Sequence, residues 1–447
     1  MNKLITTLTN IWKIEELRKR ILYTFLLLFI YRVGCHVVLP GVNPAQLMIG
    51  SGRDGTDILD IINMFAGGAF SSAAIFALGV MPYISASIVV QLLGIAVPSF
   101  QKMQKEGESG RKKLTQITRY LTVAITVVQA IAYVRTQITP DAKLIADPMF
   151  TILAAIVLTA GTLFVMWLGE RITDKGIGNG ISLIIMSGII AQLPAGISAE
   201  TVSRMGGQGG PIALLVEFVA LLFVVIFTIL VVQGVRKIPV QYAKKIVGNK
   251  QVGGVRQYIP LKVNAAGVMP IIFAQAIMFL PMSLIQFFPD IQSEFLRSLS
   301  NYTSFTYNMV FAILIIAFTF FYTAIMVNPQ QMSEDMKKNG GFIPGIKPGH
   351  DTNLFIDNVI SHITFPGAVF VAIIAILPAI AALFGVNNQF AHFFGGTSLL
   401  ILVGVVLDTL QQIESHLLMR HYDGLMKTGR VKGRSAAAVE GVDQSAL

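Results

Sequence analysis

The residues able to do chemistry in this chain of 447 are few and poorly grouped. Its six histidines stand at 36, 350, 362, 392, 416 and 421, and none falls in an HExxH pair that would hold zinc from one helix face. No GxSxG nucleophile elbow and no pair of carboxylates set for general acid–base work occurs either. The stretch DKGIGNGISLII, 174–185, is glycine-rich enough to suggest a phosphate cradle. No strand precedes it, however, and the apolar run after it belongs in a bilayer, which argues against nucleotide binding. It reads better as a flexible glycine turn that enters a membrane span and sets Ile181 and Ile185 one turn apart on one face. Acids embedded in the long apolar runs are few, and Glu217 and Asp408 have no evident basic partner at their depth. A secondary transporter, the alternative class, needs an ionisable or ion-coordinating site near mid-bilayer. The expectation is therefore no enzyme and no cofactor, with apolar surface as the working chemistry.

The elements that must position such surface follow from composition. Hydrophobic residues make up 54% of the chain and charged ones 13%, with mean hydropathy +0.67, against roughly 25% charged in soluble domains. About 20 apolar residues cross a hydrocarbon core as a helix. Ten such runs recur, near 21–39, 74–95, 117–137, 149–169, 177–194, 212–235, 267–287, 308–328, 363–384 and 397–418. A transmembrane β-barrel would show alternating strands of about ten residues instead. The basic residues preceding Ile21 imitate a signal peptide, yet no small-residue cleavage site follows, so the first span is expected to be retained. The single cysteine, Cys35, excludes an internal disulfide.

Basic residues set the orientation. Of 34 lysines and arginines, 28 lie in the N-terminal segment 1–20, in alternate loops 98–119, 170–176, 236–262 and 329–362, and in the tail 419–447. These segments are therefore cytoplasmic, as are both termini. Five spans then form each half, 21–194 and 212–418, and an odd number per half makes any structural duplication an inverted one, although no sequence repeat is visible.

Two cytoplasmic loops stand out. Segment 236–262 holds seven basic residues and no acid, including Arg236, Lys237, Lys244, Lys245, Lys250 and Arg256. Its Val/Ile/Tyr alternation and Gly253-Gly254 pair predict a projecting hairpin, and its charge predicts a polyanionic partner such as ribosomal RNA. Segment 329–362, rich in Gly, Pro and mixed charge, predicts a second structured projection.

Residues 57–97 break the pattern. A short apolar piece, 58–70, meets a link dotted with small and polar residues before a full-length run from Ala74 that contains Gly79 and Pro82. A half-helix that dips into a membrane must lie against protein, because lipid cannot satisfy its backbone ends. Gly67, Gly68 and Ala69 suit close packing, and Ser71 and Ser72 are expected to serve the free backbone groups of the next helix.

Several blocks here resemble one family. Asn63-Met64-Phe65 followed by AGGAFSSAAIFALGVMPYISASIVVQLL, then KEGESGRKKLTQITRY (105–120), MWLGERITDKGIGNGIS (166–182), PLKVNAAGVMP (260–270) and FGGTSLLILVGVVLD (394–408), together resemble the SecY family, the channel subunit of the bacterial protein translocase. The likeness runs over about 17–422. It implies an all-α, polytopic fold with ten transmembrane helices in two inverted five-helix halves around a central hourglass pore in the cytoplasmic (inner) membrane. Unfolded secretory polypeptides would cross through it, and hydrophobic segments would leave sideways into lipid.

Residue by residue, the resemblance implies a plug at about 60–72, covering Asp60, Asn63, Phe65, Gly67, Gly68, Phe70, Ser71 and Ser72. It implies a pore ring of Val80, Ile84, Ile181, Ile185, Ile272 and Ile401, where Val80 replaces the isoleucine common in the family. A lateral gate would run between spans two and seven, helped by three and eight, with Ser87, Gln91 and Gln275 as candidates to hold the closed seam. The basic loops would dock a SecA motor or a ribosome, with Lys347 of PGIKPG standing where the family carries an arginine, so the charge is kept and the planar fork lost. Implied partners are small subunits resembling SecE and SecG, signal peptides and nascent chains, and membrane lipid. An aliphatic ring makes physical sense for such cargo, since it dewets against ions yet slides along any sequence without binding it.

Overall fold

The computed structural model describes residues 14–46, 63–206, 209–242, 245–247, 250–252, 256–287 and 294–427. A helix stands at each of the ten expected spans. In chain order the helices are α1 (Glu15–Gly34), α2 (Met81–Ala96), the short α3 (Pro98–Lys105), α4 (Glu108–Gln137), α5 (Met149–Lys175), α6 (Gly180–Met205), α7 (Gly210–Gln233) and α8 (Met269–Phe287). They continue with α9 (Glu294–Ser300), α10 (Phe305–Met326), α11 (Pro329–Lys338), α12 (His350–Leu383), α13 (Asn388–Ala391) and α14 (Gly396–Lys427). Among the described residues, seven helical stretches are long and apolar enough to cross a membrane alone; α2 passes only jointly with α3, which leaves it at 102° after Val97. The extended Val97 ahead of Pro98 makes that corner.

The second span departs from expectation. Its helix starts at Met81, not near 74, because residues 66–80 form successive turns. Gly79 takes a positive φ of +52°, and Pro82 sits in the first turn of α2, where its missing N–H leaves no bond unmade. Proline and glycine thus start this helix instead of breaking it. Ser71 and Ser72 do not cap it: both hydroxyls donate backwards to the Gly68 carbonyl, at 3.1 and 3.0 Å.

Burial in the spans inverts the soluble pattern. In α7 the buried residues are Glu217 and Thr228, while Leu215, Val219, Leu222, Phe223 and Ile226 are exposed on the surface that lipid would cover. In α4 the buried stripe is Gly110, Thr118, Thr122, Thr126 and Ala130, small residues that let helices approach. The hydroxyls of Thr118, Thr122 and Thr126 donate to carbonyls one turn back, as Thr122 does to Thr118 at 2.7 Å, so none of the three is stranded.

The two projecting loops fold together on the basic side. Strand β1 (Val235–Tyr242) pairs antiparallel with β4 (Arg256–Lys262), and its other edge takes β5 (Gly341–Phe342) from the second loop through Gln241↔Phe342. Ile238, Val240 and Leu261 bury their side chains against Met336, Ile343 and Ile356 in a separate core. Between them, β2 (Lys245–Val247) and β3 (Lys250–Val252) pair antiparallel in a separate two-stranded ribbon. Gly253-Gly254 lies outside the described residues.

Glu217 has a basic partner after all. Arg204, in the last turn of α6, reaches Glu217 at 2.5 Å on α7 and Glu200 at 2.8 Å on its own helix. The same guanidinium donates to the Gly385 carbonyl at 2.9 Å, while Glu200 accepts the Asn387 N–H at 2.7 Å. This buried triad ties α6, α7 and the α12–α13 connection at one point. Removing its one cation strands two carboxylates, so Arg204→Met should cost about 3–5 kcal/mol in unfolding measured in micelles. Glu217→Gln, which removes one of the two like charges, should be far milder, and equal losses would contradict this account.

Candidate functional site

The turn at 176–180 is pinned, contrary to the flexibility expected of so many glycines. The Ile177 N–H donates to Thr24 Oγ1 at 3.1 Å, that of Gly178 to Gln412 Oε1 at 2.9 Å, and that of Gly180 to Thr173 Oγ1 at 2.9 Å. A Cβ on Gly180 would lie 2.0 Å from the Gly169 carbonyl oxygen, so glycine is needed for close approach to α5. Asn179 then caps α6, accepting from the Ile181 and Ser182 N–H groups at 3.1 and 3.4 Å. These contacts fix where Ile181 and Ile185 point.

The six aliphatic candidates belong to one hydrophobic cluster fed by four helices. Val80 and Ile84 come from the start of α2, Ile181 and Ile185 from α6, Ile272 from α8 and Ile401 from α14. Val80, Ile84, Ile185 and Ile401 are buried, and Ile181 and Ile272 pack half-buried against the same cluster. A cavity of about 230 Å³ is lined by polar residues that include Asn179, Ser182, Asn264 and Asp408 and by apolar ones that include Val268, Met269 and Leu400.

Segment 63–80 packs in the same cluster, with Met64, Phe65, Ala66, Ala69 and Phe70 all buried. Asp60 lies outside the described residues. Since the segment is irregular, its carbonyls need donors, and side chains from three helices supply them. Gln192 of α6 donates to the Asn63 carbonyl at 3.2 Å, Arg32 of α1 to Gly67 at 3.0 Å, and Tyr133 of α4 to Phe70 at 2.7 Å. The segment's own Asn63 accepts the Ser71 N–H at 3.0 Å. Residues 73–75 add backbone pairing with the stretch after α1, Leu39 N–H to Ala73 at 2.8 Å and Ile75 N–H to Val37 at 2.9 Å. Gly67 has φ +65°, and Gly188 of α6 faces it so closely that a Cβ there would lie 2.6 Å from the Phe65 oxygen. Sequence reasoning missed these holders; Arg32, an arginine inside an apolar run, was the one legible signal.

The seam candidates are arranged differently from expectation. Gln91 donates to Ser87 at 3.2 Å within α2, so that bond does not cross to α8, although α2 and α8 do touch. Gln275 is buried on α8. On the basic side Arg236, Lys237 and Lys347 are exposed, and Lys245, Lys250 and Arg256 stand on β2, β3 and β4; Lys244 lies outside the described residues.

A bundle of long apolar helices sharing one buried core, into which the non-helical segment 66–80 packs, defines a polytopic membrane protein. The family model described as SecY matches residues 74–410. The protein translocase subunit SecY of Halalkalibacterium halodurans is 43% identical over 431 residues, spanning 94% of this chain and 99% of that one. Its counterpart in Thermotoga maritima is 40% identical over 439 residues, spanning 95% and 98%. In fold, a solved protein-conducting channel superposes with a TM-score of 0.65 at 18% identity, covering 89% of this chain and 92% of that one. Sec61 in the canine ribosome-channel complex superposes with 0.60 at 17%, over the same shares. The chain belongs to the SecY family and is a protein-conducting translocation channel.

If side-chain donors hold segment 63–80, weakening them should expose it. In a Ser72→Cys reporter, Tyr133→Phe should speed maleimide labelling roughly three- to ten-fold, the equivalent of a hydrogen bond worth about 1 kcal/mol. Gly188→Ala should do the same by crowding Phe65. Labelling unchanged in both variants would mean that the segment is held otherwise.

Proposed function

We propose that Val80, Ile84, Ile181, Ile185, Ile272 and Ile401 form the iris of this channel, and that residues from about 60 to 72 are the plug that rests on it. What supports this reading is that the six aliphatic side chains, drawn from four helices, lie in or pack against the same buried cluster as segment 63–80. Such a collar excludes water and ions when shut, yet dispersion lets it mould around any extended chain. Hydrogen-bonding groups at this level would retain cargo. The lateral route lies between α2 and α8, flanked by α4 and α10. With Ser87 and Gln91 bonded to each other inside α2, apolar packing closes that seam.

Orientation and partners follow from charge. The basic side, with 28 of 34 lysines and arginines, faces the cytoplasm of a bacterial cell and carries both termini. The two sheets of this loop, one bearing Arg236, Lys237 and Arg256 and the other Lys245 and Lys250, with Lys244 in the same loop and Lys347 in the second, are the docking platform for a ribosome or a SecA-like motor, whose energy drives transport. Single-span subunits resembling SecE and SecG would brace the exposed apolar helix faces. The chain acts as a conduit and not as an enzyme.

Ile84→Asn and Ile272→Asn, singly and together, should raise the resting ion conductance of reconstituted vesicles and admit substrates with weakened signal sequences. A stalled secretory chain should crosslink to cysteines placed along α2 and α8. Unaltered conductance in the double variant would remove the iris assignment, and absence of crosslinks would remove the lateral route.

A further inference from the structure

Three buried polar atoms on three different elements face one small space. Gln275 of α8, Tyr307 of α10 and His392 at the end of α13 are 3, 3 and 7% exposed. The atoms Gln275 Oε1, Tyr307 Oη and His392 Nε2 have no partner in hydrogen-bonding geometry. Gln275 and Tyr307 are close enough to interact, but too far or too misaligned to bond directly. All three residues line a single cavity of about 30 Å³, whose wall also includes Met64 of the irregular segment.

Buried polar groups in folded proteins are almost always paired, with ordered water serving where protein does not. A site holds a water when it offers about 10–15 Å³ and two to four polar partners. This cavity satisfies both conditions and has room for one or two molecules. The chemistry also excludes other ligands: no carboxylate lines it to hold a cation, and no organic molecule fits the volume. We propose that this cavity is a water-binding site built into the joint of α8, α10 and α13. The water donates to Gln275 Oε1, accepts from the Tyr307 hydroxyl, and donates to or accepts from His392 Nε2 according to the imidazole tautomer.

The site has a mechanical consequence. Water bridges re-form in new geometries, whereas direct side-chain pairs do not, so α8 is held to its neighbours by bonds that survive a tilt. Met64 covers one wall, so displacement of segment 63–80 opens the site to the aqueous interior and lets its water exchange.

Cryo-electron microscopy of the full chain with its membrane subunits in nanodiscs, at a resolution that resolves ordered water, should show a peak about 2.6–3.2 Å from at least two of the three atoms. Empty density there, or direct pairing of Gln275 with Tyr307 or His392, would overturn the proposal. Independently, Gln275→Leu and Tyr307→Phe should each shorten the half-life of thermal inactivation roughly three- to ten-fold, and the double variant should be no worse than the poorer single. Losses that multiply would mean that the two side chains share no water. Both readouts are independent of transport, so they separate this site from the channel assignment, and the density measurement on the unsubstituted protein stands even if a variant does not assemble.

Discussion

A membrane interior offers nothing to an unpaired carbonyl, and that constraint governs how this channel is shut. Residues 66–80 are neither helix nor closed sheet, so their polar backbone must be answered by protein or water. Arg32, Tyr133 and Gln192 answer it from α1, α4 and α6, and Leu39 and Val37 answer it through backbone pairing. Those helices must therefore meet the segment at defined heights, which ties the first, third and fifth spans to one another through it. The same bonds suit a stopper that has to leave. A hydrogen bond exchanged for one to water contributes only about 0.5–1.5 kcal/mol net, so each holder defines the closed position without making departure into an aqueous funnel expensive. Apolar burial of Met64, Phe65 and Phe70 adds the less specific part of the hold.

Aliphatic side chains do two opposite jobs here, and what separates them is position. Facing outward on α7 they meet lipid and select nothing; from α2, α6, α8 and α14 they pack into the buried core. Helix association in a bilayer gains little from burying leucine against leucine, since lipid is equally apolar. The interior is accordingly specified by small residues such as Gly169 and Gly180, by threonines bonded to their own helices, and by the Glu200–Arg204–Glu217 triad. These groups make the bundle assemble in one way while the pore lining stays chemically indifferent.

The spans were legible because run length and charge asymmetry depend on composition alone. The start of α2 was not: Ala74 to Val80 is as apolar as the helix after it, and its non-helical path goes with contacts to residues 37–39 and to α5 that composition does not announce. Ile181 and Ile185 were readable from a helical period, and Asn179 ahead of them carries a cap signature. The Ser87–Gln91 bond was also readable, since residues four apart on one helix find each other before they reach a neighbour. Arg204 and Glu217 were not, because their pairing depends on how two helices are set side by side. The second loop's contribution of β5 to the first loop's sheet is a long-range pairing that two residues cannot announce.

That shared sheet gives the basic side a mechanical role beyond its charge. Strand β1 leaves α7 after a single residue, Gly234, whose carbonyl accepts the Val263 N–H at 2.8 Å and extends the pairing to the membrane surface. Strand β4 leads through residues 263–268 into α8, and Lys262 donates to Gln411 of α14 at 3.2 Å. The sheet's core includes Ile356, on a helix that runs without interruption from His350 to Leu383. A load placed on the sheet is thus delivered to α7, α8 and α12 together. Since α8 carries Ile272 into the buried core and also borders α2, the basic face is one short connection from both. The stiffness of a paired, cored sheet couples these helices to one another.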